Sequence, residues 1–328
     1  MKKNIIAFAI ASAVAAPVVM ADAPVVYGIA NMAVQANAFA TKNLGSGPQS
    51  PGLAVNSVAS RVGIKGTEDL GNGLKAIYQM EFNIDLSGND SKQMNARNSF
   101  VGLAGGFGTV LMGTHDTPLN DTPLKMSQPK DLFNDGITDN GNVVKVLASG
   151  GEVRADNVIA YVSPSFAGIK LVAAGVSGTA DGKGGAEDSE LADAYSIAAM
   201  YGSTKKGLYL AAAYNGGDGF KDAEEMRLSA QYATGGLVAN VMYETQENKG
   251  AAVVASAGYK MGNMMPKIKW ADTSESKNSG KDGSVTALGL DYSLGKKTTA
   301  YIEYTMFDKD FTKGESVEST AVGLMHKF

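Results

Sequence analysis

The chain of 328 residues contains no cysteine, which excludes a disulfide framework, a thiolate metal site and a thiol nucleophile. It has only two histidines, His115 and His326, far apart in sequence, so neither a histidine metal centre nor histidine-based catalysis is expected. It has no basic excess either: 29 Lys and Arg stand against 33 Asp and Glu, the wrong balance for a nucleic-acid binder. Past the N-terminal region no segment offers the ~18 uninterrupted apolar residues of a spanning helix. Any membrane crossing must therefore be made by strands. Nine prolines, 40 glycines and a hydrophobic fraction of 44% give no compositional reason for disorder.

Catalytic motifs are missing as well. Ser203 to Lys206 and Ser274 to Lys277 match Ser-x-x-Lys, but they fall in a turn and a loop without the companion motifs of that hydrolase class. Gly178 to Gly185 (GTADGKGG) has too short a glycine spacing for a phosphate loop, and Lys183 is followed by Gly184. Asp131 to Gly136 begins like a calcium loop, with Phe133 at a ligand position. No enzyme, no cofactor and no metal site is expected.

What the chain does have begins with Lys2 and Lys3, an apolar stretch from Ile5 to Val14, Pro17, and small residues around Ala21. That is a secretory signal peptide, residues 1–21, with cleavage after Ala23 as the alternative. Removing Lys2 and Lys3 from the 29 basic residues leaves 27 against 33 acids, a mature net charge of minus six.

The mature part, 22–328, reads as hairpins. From Glu224 to Gln246, Met226, Leu228, Ala230 and Tyr232 alternate with Glu225, Arg227, Ser229 and Gln231; after Gly235 and Gly236, Leu237, Ala239, Val241 and Tyr243 alternate with Asn240, Met242, Glu244 and Gln246. A helical period would scatter these apolar residues, whereas period two gathers them on one face. Short connections at 70–73, 105–108, 163–168, 203–207, 234–236, 261–264 and 294–297 alternate with long polar ones near 37–56, 84–96, 116–153, 179–190, 215–222, 247–250, 272–283 and 308–316. Fifteen connections give sixteen strands, an even number that closes antiparallel. Closure leaves no unpaired backbone edge in lipid. The expectation is an all-β, 16-stranded antiparallel transmembrane β-barrel with short periplasmic turns and longer external loops.

Tyr161, Tyr201, Tyr232, Tyr259 and Tyr292 each stand one to three residues before a short turn. Any one of them could be an ordinary strand residue, but five at one height read as a periplasmic aromatic girdle. The chain ends on an alternating run in which Thr320, Val322, Leu324, His326 and Phe328 share a face.

In this order, Val26-Tyr27-Gly28, Ser60 to Gly66 with Glu68 to Gly73, Gln79 to Phe82, Arg97 to Leu103 with Gly105 to Gly108, Asp156-Asn157 with Tyr161 to Phe166, and Gly323 to Phe328 resemble the general porins of Gram-negative bacteria. The resemblance runs from the signal peptide to Phe328. It implies a homotrimeric, water-filled channel in the outer membrane, admitting small hydrophilic solutes and ions by passive diffusion. Its surroundings would be outer-membrane lipid and lipopolysaccharide; its assembly partners would be periplasmic chaperones and the barrel-insertion machinery, which reads terminal patterns such as Leu324, His326 and Phe328. Two other readings stay open: a porin selective for anions or dicarboxylates, and a non-conducting structural or adhesive barrel.

Sixteen strands are too wide for side chains to fill, so inward polar residues such as Gln79, Glu81, Arg227 and Gln231 are expected to be water-bathed without protein partners. The resemblance further implies that the third external loop, 116–153, folds into the lumen as the constriction loop. Its acids, Asp116, Asp121, Asp131, Asp135, Asp139 and Glu152, would face a basic wall of Arg61, Arg97 and Arg154. Strand parity agrees for the first two arginines if Val62, Ile64 and Phe100 point to lipid. The plainer alternative is that each arginine balances an acid such as Glu81 or Asp156. The chain departs from the family pattern at Ile29, where many members carry a pore-facing lysine, and in lacking Pro-Glu-Phe-Gly in the third loop.

Overall fold

A computed structural model describes residues 23–36, 52–88, 93–119, 129–134, 153–177, 192–218, 224–247, 250–274, 282–312 and 316–328. The expected signal peptide, residues 1–21, therefore lies outside the described residues. The strands are β1 (Val25–Ala36), β2 (Leu53–Ser57 and Arg61–Gly71, two segments of one barrel strand), β3 (Leu74–Ile84), β4 (Met94–Gly105), β5 (Gly108–Asp116), β6 (Arg154–Val162), β7 (Ile169–Val176) and β8 (Ala194–Gly202). They continue with β9 (Gly207–Gly216), β10 (Glu225–Thr234), β11 (Leu237–Gln246), β12 (Gly250–Tyr259), β13 (Met264–Ser274), β14 (Gly283–Ser293), β15 (Thr298–Phe307) and β16 (Val317–Lys327). A short helix, α1 (Lys309–Thr312), lies in the last external connection. Among the described residues no helix is long and apolar enough to cross a membrane.

Each strand pairs antiparallel with its sequence neighbours, and β1 pairs with β16 in register Ile29↔Lys327 to Ala36↔Thr320, which closes the barrel. The seam extends past the last strand residue: Phe328 N–H donates to Gly28 O at 3.1 Å, and Gly28 N–H donates to Phe328 O at 3.3 Å. A Cβ on Gly28 would collide with the Phe328 ring, so glycine there makes room for the terminal aromatic.

Period two is what makes the barrel wall. Ile64, Val101, Ile159, Leu210, Leu228, Ile268 and Leu324 are exposed on the outer surface, a belt far larger than water tolerates but suited to hydrocarbon. The residues between them face inward, as Glu225, Arg227, Ser229 and Gln231 do on β10. The short turns carry the backbone that such turns require. Asn72 and Gly73 both have positive φ, 53° and 77°, the conformation that matches strand twist in a two-residue hairpin.

Irregularities sit near the lumen's charged residues. The second strand breaks at Val58, Ala59 and Ser60, with Ala59 at φ 48°. The break is pinned to β1: Val58 N–H donates to Asn31 O at 2.8 Å, and Ser60 Oγ accepts from Asn31 N–H and donates to Asn31 O, each at 3.0 Å. The β3–β4 register shifts between Met80 and Phe82, facing Ser99 and Ala96, so Arg97 and Asn98 together oppose Glu81. This β-bulge flips the parity of the strand. Phe100, expected toward lipid, instead packs against the buried cluster of Leu111, Val158 and Ala160 and lies 5.3 Å from the His115 ring. Val101 and Leu103 take the lipid face.

Candidate functional site

The described parts of the 116–153 connection lie inside the barrel, against the inner wall. Leu119 is fully buried with Ala198 and Ala213 of β8 and β9; its N–H donates to Ser196 Oγ at 3.2 Å, and its carbonyl accepts from Arg227 Nη1 at 2.6 Å. Lys130 N–H donates to Gln231 Oε1 at 2.7 Å, and Lys130 O accepts from Asn240 Nδ2 at 3.0 Å. Leu132 and Phe133 pack on Ala287, Val238 and Met265. Lys267 Nζ reaches Leu132 O at 2.8 Å, and Lys269 Nζ pairs with Asp131 Oδ1 at 3.0 Å. Both ammonium groups lie over the Phe133 ring, 4.9 Å and 5.0 Å from its centroid, a cation–π arrangement strengthened by desolvation.

Asn134 completes the path. Its N–H donates to Glu303 Oε1 at 2.7 Å, its Nδ2 to Asp291 Oδ1 at 2.7 Å, and its carbonyl accepts from Asn31 Nδ2 at 3.1 Å. The described stretches thus run along the wall from β8 round to β15 and β1. The expectation that inward Gln79, Glu81, Arg227 and Gln231 are bathed in water without partners is corrected here, since all four are buried. Arg227 Nε pairs with Glu244 Oε2 at 2.5 Å, and Gln231 Nε2 donates to Thr204 O at 2.6 Å. For Arg227 and Gln231 the physical reason is the loop: once it covers that arc, the wall's polar groups lose water and must bond to each other or to the loop backbone. Gln79 and Glu81 lie outside that arc and are covered by the wall itself, Gln79 by Asn98 and Glu81 by Arg97, Arg61 and Tyr27.

The arc from β2 to β6 carries the three arginines. Arg97 Nε pairs with Glu81 Oε1 at 2.6 Å, Arg61 Nε lies 4.0 Å from Glu81 Oε2, and Arg154 Nε pairs with Asp116 Oδ1 at 2.8 Å. Their side chains keep 21%, 30% and 28% of their surface exposed, respectively, while Glu81 and Asp116 are buried. Tyr27 OH donates to the same Glu81 at 2.9 Å, over a floor where a Cβ on Gly63 would stand 2.5 Å from Tyr27 Cζ. Lys65 lies 4.9 Å from the Tyr27 ring centroid.

One expected opposition becomes a pair. Asp116, expected in the acidic loop, ends β5, directly across from Arg154, expected on the facing wall, at the start of β6, and Asn98 bridges them through Asp116 Oδ2 (2.8 Å) and Arg154 Nε (2.9 Å). Closing the loop brings its two feet into antiparallel register, so foot residues meet each other. Asp156, the other acid weighed as a partner, accepts from Thr114 Oγ1 at 2.7 Å. Asp131 is at the loop but turned to the wall, where it pairs with Lys269 and accepts from Phe133 N–H at 3.1 Å. Asp121, Asp135, Asp139 and Glu152 lie outside the described residues.

Sequence reasoning missed Lys267, Lys269 and Glu303 as loop anchors. The available signal was two lysines on the inward face of β13, opposite Ile268 and Trp270, with acids at matching heights on β14 and β15. Tyr161, Tyr201, Tyr232, Tyr259 and Tyr292 are all exposed on the outer surface near the short turns, with Tyr161 OH donating to Phe107 O at 2.7 Å. Leu324 and Phe328 are exposed on the outer face, and His326 Nδ1 meets Thr298 Oγ1 at 2.9 Å.

A closed sixteen-stranded barrel with an apolar outer belt, a polar lumen and a loop folded inside it defines an outer-membrane channel of the porin class. A family model described as Gram-negative porin matches residues 7–312, and the chain belongs to that family. Over its whole length it is 30% identical to the major outer membrane protein P.IB of Neisseria meningitidis serogroup B, of which it covers 100%. It is 29% identical to the protein of that name from Neisseria sicca, again across both full lengths. Among solved structures, the anion-selective porin from Comamonas acidovorans matches with a TM-score of 0.74 at 22% identity, covering 94% of this chain and all of that one. OmpT of Vibrio cholerae, in its trimer form, matches with a TM-score of 0.63 at 17% identity and the same coverage. The protein is an outer-membrane porin, a channel for passive diffusion of small hydrophilic solutes and ions.

Proposed function

We propose that the passage is narrowest between the inserted loop and the wall bearing Arg61, Arg97 and Arg154, and that this wall favours anions. The observation that carries the reading is the partial exposure of three arginine side chains on one arc, while the loop's docking occupies the other. Glu81 and Asp116 are buried beneath them, so the arginine heads stand nearer to a passing ion than their counter-charges do. A charged ring of this kind selects by electrostatics at short range. The Comamonas acidovorans relative, named as anion-selective, supports the same sign.

In this reading the chain is made with residues 1–21 as a cleaved signal and assembles as a homotrimer in lipid and lipopolysaccharide, with periplasmic chaperones and the insertion machinery acting on the barrel. The trimer form named for the OmpT neighbour supports the oligomer. The barrel makes and breaks no bond, the five outward tyrosines seat the periplasmic rim, and Leu324, His326 and Phe328 form the assembly signal. The test is to refold the mature chain, insert it into a planar bilayer and record single channels across a salt gradient. Steps closing in thirds with an anion-side reversal potential are expected. A cation-side potential overturns the sign assigned to the arginine wall, and a silent bilayer despite verified insertion favours a plugged or structural barrel.

A further inference from the structure

We propose that Asn215, Glu225, Glu244 and Gln246, on the inner wall at the external ends of β9 to β11, bind a divalent cation of the calcium class. The four are neighbours by register: Asn215 pairs with Glu225, Glu225 with Gln246, and Glu244 with Arg227 one inward position further down. Inward side chains directly opposite each other stand about 5 Å apart at Cβ, so Glu225, opposite both Asn215 and Gln246 and within hydrogen-bond reach of Asn215 and Glu244, is the middle of the group. All are buried, and each keeps a buried oxygen without a hydrogen-bond partner: Asn215 Oδ1, Glu225 Oε1, Glu244 Oε1 and Gln246 Oε1.

The chemistry of these atoms is one-sided. Carboxylate and amide oxygens only accept, and leaving one buried and unsatisfied costs about 1–3 kcal/mol, more if it is charged. Some donors of the cluster are already used: Asn215 Nδ2 donates to Glu225 Oε2 at 3.1 Å, and Arg227 Nε to Glu244 Oε2 at 2.5 Å. One water has two protons and satisfies two of the four oxygens. A hard cation takes six to eight oxygen ligands, from carboxylates, amide carbonyls and water, and satisfies them together. Two carboxylates stand against the single guanidinium of Arg227 in a desolvated place, with Glu225 within hydrogen-bond reach of Glu244, so the surplus negative charge is taken up either by a proton shared between the two or by a bound cation.

The mature chain is refolded in detergent free of lipopolysaccharide, stripped with a chelator, and assayed for bound Ca²⁺ by equilibrium dialysis and for its thermal unfolding midpoint with and without Ca²⁺. One equivalent per chain is expected, with a higher midpoint in Ca²⁺, because a ligand that binds only the folded state stabilises it. Glu225→Gln preserves an acceptor for Asn215 and is expected to lose both effects, while Asp310→Asn, in α1, retains them. If Glu225→Gln does not fold, Gln246→Leu is expected to weaken uptake at least tenfold. Absence of saturable uptake by the wild type, as for carboxyls sharing a proton, overturns the proposal, and so does uptake that survives substitution in the cluster.

Discussion

Lys267 is the residue whose removal tests most directly how the lumen loop is held. Its side chain is fully buried, and its ammonium group meets Leu132 O at 2.8 Å and Asp291 Oδ1 and Glu303 Oε1 at 2.6 Å each. All three proton donors of the ammonium are thus used, one on the loop and two on the wall. Lys267→Met keeps most of the volume but leaves Glu303 buried beside Asp291 without a cation. Breaking a buried pair in this way costs about 3–5 kcal/mol. The part borne by the loop is the charge-assisted bond to Leu132, about 1.5–3 kcal/mol, which is on the order of 10- to 100-fold in the docking equilibrium.

The expected outcome is a lower thermal unfolding midpoint of the refolded barrel and a rise in open-channel noise as the loop leaves the wall more often. A second variant separates lost docking from stranded charge. Lys267→Met combined with Glu303→Gln removes both members of the pair and should be less destabilised than Lys267→Met alone, since no uncompensated carboxylate remains at Glu303. A single variant with wild-type midpoint and noise refutes the anchor. A double variant no more stable than the single refutes the electrostatic account of it.

Three further outcomes are expected. Arg61→Ala or Arg97→Ala shifts the reversal potential toward cations in a salt gradient, and an unchanged potential in both removes these residues from the constriction. Deleting Phe328 lowers insertion into outer-membrane-like vesicles, because the β1 seam loses both the backbone bonds to Gly28 and the ring that fills the space above it; normal assembly would sink that role. Leu119→Ala removes a fully buried side chain packed on Ala198 and Ala213 and is expected to cost about 2–5 kcal/mol. A midpoint drop with noisier open channels checks this, and a midpoint unchanged within error counts against the described docking.

The barrel was legible because its signal is periodic and repeated. Alternation on β10 and β11, and polar or glycine-rich punctuation between strands, place the elements within a few residues of where they occur, as with Thr234 and Leu237 flanking Gly235 and Gly236. Legibility failed wherever one residue changed the phase. The bulge at Arg97 and Asn98 reverses Phe100, and nothing in the local pattern announces it; the break at Ala59 depends on Ser60 meeting Asn31 across the sheet. The arginines were found by resemblance, but the partner of Arg154 required register, since Asp116 and Arg154 meet only when a long connection folds back on itself.

The docked loop was hard to read for a different reason: its position is written mainly in the wall. Among the described residues, its hydrogen bonds to the wall largely use backbone groups, namely the N–H of Leu119, Lys130 and Asn134 and the carbonyls of Leu119, Lys130, Leu132 and Asn134. Backbone groups carry no sequence signature, whereas their partners Ser196, Arg227, Gln231, Asn240, Lys267, Glu303 and Asn31 are spread over β1 to β15. The loop's acids therefore say little about where it docks. It follows that changes to the loop's polar side chains should be better tolerated for docking than changes in the wall, whereas its buried apolar side chains, such as Leu119, are not spared. Asp131→Asn keeps an acceptor facing Lys269 and leaves the backbone bonds of Leu132 and Asn134 in place, so its open-channel noise should stay near wild type while that of Lys267→Met rises. Equal noise in the two variants would mean that the loop's own polar side chains hold it.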